Sequence, residues 1–121
     1  VVSEHSWDST SAEAARLVFG DRGAIYDHPA IDYSRTADIF AAITGHELTV
    51  REAVLFMVAV KLSRIGAALD HDFGAATVRD SIVDAAGYLD CLFGVWDVET
   101  DMNLDDVLSE FGHLLDETDD E

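Results

Sequence analysis

Two long apolar segments separated by one short polar turn, between Thr49 and Trp96, set the limits on how this chain can fold. Thr49-Val-Arg-Glu52 has the form of a capping box, in which a hydroxyl and a carboxylate each satisfy a free amide of the first helical turn. Beyond it, Val54 to Val58, Val60, Leu62 and Ile65 leave little polar face. This predicts a helix to about Leu69 that is central and covered on several sides. Asp70 to Ala76 is a polar turn with Gly74, and Thr77-Val-Arg-Asp80 is a second cap-like run. The helix it opens is expected to reach about Trp96. Its residues Ile82, Ala86, Leu89, Phe93 and Trp96 make one apolar stripe at about 100° per residue. Asp80, Asp84 and Tyr88 line the opposite side, which continues to Cys91 and Val95.

Both segments carry charges, and a buried charge is costly unless it is paired. A short turn makes the two helices antiparallel neighbours, so connectivity alone brings Lys61 and Arg64 near Asp80 and Asp84. Glu52 precedes them by roughly 14–18 Å along the helix axis and cannot share a small site with Lys61 within one helix. Two readings are open. The charges are interhelical salt bridges that fix register, with Asp80 as a cap. Alternatively they wall an anionic-ligand site, in which cations hold phosphate while carboxylates hold Mg²⁺ or a base or sugar hydroxyl.

The rest of the chain reads as helices of ordinary length. Residues 1–9 are expected to be a flexible N-terminus anchored at most by Trp7, and residues 10–115 a single helical domain. Thr10-Ser-Ala-Glu13 resembles a capping box for a helix to Phe19, with Ala14, Leu17 and Val18 inward and Gly20 as its end. Gly20 to Pro29 is loop-like and dense in hydrogen-bonding groups, either a connector or a functional loop. Asp32 is placed to cap a helix to about Ile43, with Ile39, Phe40 and Ile43 as its apolar spacing and Gly45 as its stop. A turn at Asp97 to Met102 and a last helix capped by Asn103 follow. The acidic tail, 116–121, is expected to be disordered. The fold class is all-α: a compact bundle of four main helices plus a short C-terminal helix.

Charge and motif content exclude several functions. With 25 acidic and 7 basic side chains the formal charge is -18, which disfavours direct nucleic-acid binding because phosphate contacts need Lys and Arg. It leaves a solvated or halophilic surface, a non-catalytic acidic interaction protein (a mimic of nucleic acid or an inhibitor of a host factor), or a site that collects cations. Cys91 is alone, so no internal disulfide forms. No apolar run approaches the roughly 18 residues of a membrane span. Val1 and Val2 do not open a signal peptide, so a cytoplasmic protein is expected. The five histidines show no metal-ligand spacing with one another or with Cys91. There is no phosphate loop, dinucleotide fingerprint or nucleophile elbow.

Three runs in order carry a family resemblance. They are Gly20-Asp-Arg22 with Tyr26, His28 and Pro29; Glu52 with Lys61 and Arg64; and Asp80, Asp84, Gly87 and Tyr88. Over roughly residues 12–96 the chain resembles a phage-associated domain of unknown function, itself similar to the MazG-like all-α nucleotide pyrophosphohydrolases. That resemblance implies a homo-oligomeric (dimeric or tetrameric) helical protein that binds a nucleotide or nucleotide derivative, possessing hydrolase activity towards nucleoside triphosphates. It implies Arg22, Tyr26, His28, Lys61, Arg64 and Tyr88 as substrate-binding groups and Asp80 and Asp84 as catalytic. Mg²⁺ would be held by Glu52, Asp80 and Asp84, with Glu52 drawn from another protomer. The chain departs from the superfamily, whose metal sites use E-x-x-E and E-x-x-D. Here Lys61-x-x-Arg64 stands for the first motif, and Ser81-Ile-Val-Asp84 retains only the last acid of the second. Cations in place of metal ligands remove much of the need for a metal, a host cytoplasm being the expected setting for a phage-encoded chain.

Overall fold

The computed structural model describes residues 8–21 and 27–119, with side chains described for 8–20 and 27–101. Among the described residues all regular structure is helical: α1 (Thr10–Arg16), α2 (Pro29–Thr44), α3 (Val50–His71) and α4 (Ala75–Asp119), with a π-helical turn, Leu17–Asp21, continuing α1. The all-α expectation holds.

Local chemistry sets each boundary. The Thr49–Glu52 capping box forms in both directions: Thr49 Oγ1 accepts from the Glu52 amide at 3.0 Å, and Glu52 Oε1 accepts from the Thr49 amide at 2.9 Å. Gly45 ends α2 at φ 76°, where a side chain would be strained. Asp72 takes the left-handed position after α3 at φ 52°, a conformation its short polar side chain tolerates. Other expected caps shift. Ser9 rather than Thr10 caps α1, its hydroxyl accepting from the Ala12 amide. His28 rather than Asp32 caps α2, because Pro29 suits the first helical position and His28 Nδ1 reaches the Ala30 amide at 3.0 Å. α4 begins at Ala75, ahead of Thr77, so Asp80 lies past the first turn and is not a cap.

The separate C-terminal helix is not formed. α4 runs unbroken for 45 residues through the expected turn at Asp97–Met102. No proline or glycine occurs between Gly94 and Gly112, and exposed Asp, Glu or Asn costs a helix only about 0.7 kcal/mol or less per residue. Of the expected tail, 116–119 continue α4 and 120–121 lie outside the described residues, as do residues 1–7 with Trp7.

α3 and α4 pack as an antiparallel pair. α1 with its π turn packs on α4, and α2 packs on both α3 and α4. The core joins Tyr33 and Ala37 of α2, Ala53 and Val54 of α3 and Val95 of α4. Small side chains dominate it, so the helices approach closely. Two expectations about faces are reversed. α3 is not covered all round: Leu55, Leu62 and Leu69 are exposed. The stripe Ile82, Leu89, Phe93 and Trp96 is also exposed, while α4 buries Val83, Ala85, Gly87 and Val95. On α2, Ile39 and Ile43 point outward and Phe40 reaches Phe56, ring centroids 6.3 Å apart. No helix among the described residues is long and apolar enough to cross a membrane.

Candidate functional site

The charged residues of α3 and α4 do not form one cluster. Lys61 Nζ lies 2.8 Å from Asp84 Oδ2 between the helices, with side chains 12% and 25% exposed. Arg64 and Asp80 are exposed, and neither makes an ion pair with another described side chain. The register reading thus holds for one pair and not for the other. Glu52 sits at the far end of α3, one residue from Arg51, whose guanidinium bonds Glu99 at 2.6 Å and lies 3.8 Å over the Trp96 ring. Hydrogen bonds from the Thr49 backbone and then its side chain hold the Glu52 carboxyl below the usual glutamate range.

This arrangement bears on the Mg²⁺ ligand set implied by the resemblance. Glu52 is committed to its capping box, Asp84 to Lys61, and Asp80 is exposed and apart from both. Among the described residues no group of three or more His, Cys, Asp or Glu could hold a metal ion. The three carboxylates of one chain therefore do not fit a shared ion.

Other nominated residues do converge. A cavity of about 550 Å³ opens where the π turn, the start of α2 and the middle of α4 meet. His28 and Tyr88 both line it. The π turn contributes Val18 and Phe19, α2 and its cap contribute Asp27, Pro29, Asp32 and Tyr33, and α4 contributes Asp90, Cys91 and Gly94. Arg22 and Tyr26 lie outside the described residues, in the 22–26 connection between the π turn and Asp27.

One glycine lets the π turn approach α4 more closely than a side chain would, and a second lies under His28 at ordinary contact distance. A Cβ on Gly87 would stand 3.3 Å from Val18 Cγ2, and one on Gly94 would stand 3.7 Å from the His28 ring. They are one heptad apart and so share a face of the helix. That spacing was available in the sequence and would have directed attention to Asp90, Cys91 and Gly94, which the motif reading missed. Tyr33 and Phe19 carried no such signal.

The cavity has a definite polarity. Asp27 Oδ2 accepts from Arg35 at 2.6 Å, and that bond and charge raise the Arg35 pKa. Asp27 is thus paired, Asp32 lies within the field of the same Arg35, and neither Asp32 nor Asp90 forms an ion pair among the described residues. His28 accepts through Nδ1, so its neutral ring carries its proton on Nε2. Aromatic rings, an N–H donor and two carboxylates around an apolar floor can hold a planar ligand that bears hydroxyl or amino groups.

Comparison with known proteins supports the phage-type part of the resemblance. The Gene 55 protein of Mycobacterium phage D29 is 28% identical over 90 residues, covering 74% of this chain. Only 55% of that relative is covered, so the chain spans about half the length of the curated relative it matches. No solved structure matches the chain. The family described as Domain of unknown function (DUF6378) matches residues 10–95, from the start of α1 to Val95 in the core of α4, and the chain belongs to that family.

Proposed function

We propose that the cavity between the π turn, α2 and α4 binds a nucleotide or nucleotide derivative. One observation carries this reading: His28 and Tyr88, singled out in separate sequence runs, meet around a single volume of about 550 Å³, within the usual range for small-molecule sites. The rings of Tyr88 and His28 offer a stacking surface for a base. Asp32 and Asp90 accept from ribose hydroxyls or exocyclic amines. The same carboxylates repel phosphate, so the phosphates extend away from them, and Arg22 is the candidate to receive them.

The finer reading is cleavage of a nucleoside triphosphate to monophosphate and pyrophosphate, with Mg²⁺, Asp80 and Asp84. It rests on the MazG-like resemblance alone. The Lys61–Asp84 pair weighs against it, because it engages one of the two carboxylates. For the alternative of an acidic interaction protein, the exposed acids among the described residues include Asp38, Glu47, Asp70, Asp80 and Asp97, spread over three helices and a connection.

Isothermal titration of the whole chain with a panel of nucleosides, nucleoside monophosphates and triphosphates, with and without Mg²⁺, tests the proposal. Binding of at least one member is expected, with affinity lost in Tyr88→Ala. Absence of heat for every member, or binding indifferent to Tyr88→Ala, overturns it.

A further inference from the structure

We infer that Phe19 covers the base of the bound ligand: its ring is a flat apolar plate at the open edge of the cavity, against which a nucleotide's heterocycle stacks. This rests on the nucleotide reading of the cavity. It adds the group that tells a base from a bare sugar phosphate.

An exposed apolar side chain is by itself ordinary. Ile43, Leu69 and Phe93 are 78%, 79% and 71% exposed, against 74% for Phe19. What sets Phe19 apart is its place. Among the described residues it is the large exposed hydrophobic that also lines the cavity. A ring so open to solvent stands at the edge of that volume and not on its floor. The backbone beneath it is nevertheless held. Ala14 of α1 is buried, and Val18 is half-buried where the π turn lies close over Gly87. Phe19 is the next residue along that turn, Leu17–Asp21. A π turn takes one residue more than an α-helical turn, is rare, and recurs at functional sites.

Placement and exposure together leave the energetics of this ring to a ligand. Apolar area stabilises only when it is removed from water, so Phe19 contributes little to the empty protein. A ring on a fixed backbone also has little freedom left to lose when something stacks on it. The walls then select what that something is. Phe19 offers a face with neither donor nor acceptor, whereas Asp32 and Asp90 offer acceptors. A sugar phosphate has hydroxyls for the carboxylates and no flat apolar face. An aliphatic ligand has apolar surface and no donor edge. A heterocyclic base has both, a π face above its plane and N–H groups within it. Every base has such a face, so Phe19 serves bases as a class, and choice among them falls to the polar wall.

The test is isothermal titration of wild type and Phe19→Ala, as whole chains, beside thermal melts of both. The probes are the mono- and triphosphates of adenosine, guanosine, cytidine and uridine, with ribose 5-phosphate as the probe that lacks a base. Each nucleotide that binds wild type should bind Phe19→Ala about 10- to 100-fold more weakly, the loss that removing one stacking partner produces. Ribose 5-phosphate should not distinguish the two proteins. The melting temperature should move by about 3 °C or less, as for an exposed side chain. Nucleotide affinity equal in the two proteins overturns the role of Phe19 and leaves the cavity reading standing. So does a loss shared by ribose 5-phosphate. A larger fall in melting temperature means that the chain itself covers the ring, which also overturns the inference. Absence of heat for every nucleotide with wild type overturns both readings together.

Discussion

Replacing Lys61 by methionine tests what the ion pair between α3 and α4 is for. Methionine keeps most of the stem's packing and removes the charge, leaving Asp84 between two helices without its partner. An exposed pair contributes about 0–1 kcal/mol, and breaking a fully buried one costs about 3–5 kcal/mol. Side chains 12% and 25% exposed at 2.8 Å separation place this pair between those limits. Lys61→Met should therefore cost about 2 kcal/mol, a fall in Tm of roughly 6–10 °C for a chain of this size. Asp84→Asn should cost about 1–2 kcal/mol, and the double variant should recover a coupling of about 1–2 kcal/mol. Urea unfolding of the four proteins, followed by circular dichroism, closes the cycle. A coupling below about 0.3 kcal/mol would refute the structural reading of the pair. So would a Lys61→Met protein that keeps its stability and loses nucleotide affinity, because Lys61 would then be holding ligand.

Three further outcomes are expected. Glu52 is held more strongly ionised in the folded chain than in the unfolded one. Its contribution is whole above the unfolded value of about 4.3 and is lost as pH falls through the lower folded value. The Tm gap between wild type and Glu52→Gln should stay constant from pH 7 to about 5 and close below about 4; a gap that widens in acid would contradict the cap. His28→Asp keeps a good N-cap for α2 and removes the ring from the cavity, so ligand affinity should drop with Tm nearly unchanged, read by titration beside a thermal melt. Gly87→Leu drives a branched side chain into Val18; a loss of about 2 kcal/mol or more in urea unfolding is expected from overpacking, and an unchanged midpoint would show that the π turn is not fixed there.

The junction between α2 and α3 was legible in the sequence, whereas the other helix starts shifted by a few residues and the faces were misjudged. Thr49, Glu52 and Gly45 act within a few residues of chain, and the structure uses each as its sequence suggests. The faces depend on which partner arrives. α3 is apolar on two sides, so periodicity could not say whether Val54 and Val58 or Leu55 and Leu62 would be covered. On α4 the larger residues of the stripe outweigh Val83, Ala85 and Gly87 in any count of hydrophobicity. Helices that approach closely bury their small side chains, and those are the ones inside. Connectivity gave the Lys61–Asp84 contact, since an antiparallel pair with a short turn leaves few registers. The cavity was only half visible: His28 and Tyr88 belong to motifs, whereas Asp32 read as a cap and Asp90 as one more acid among 25.

The cavity is shaped as much by missing atoms as by the residues around it. Its height is the distance between the α4 backbone and the chain laid over it, held down by the hydrogen atom that Gly87 has in place of a side chain, while Gly94 lines the floor beside His28. Changes at Phe19, Asp32 or Cys91 alter what the walls offer and so discriminate between ligands. A methyl at Gly87 lifts the roof, and one at Gly94 takes up room beside the imidazole, so each acts on every ligand alike. Selectivity and capacity are thereby carried by different positions, and one can vary while the other stays fixed.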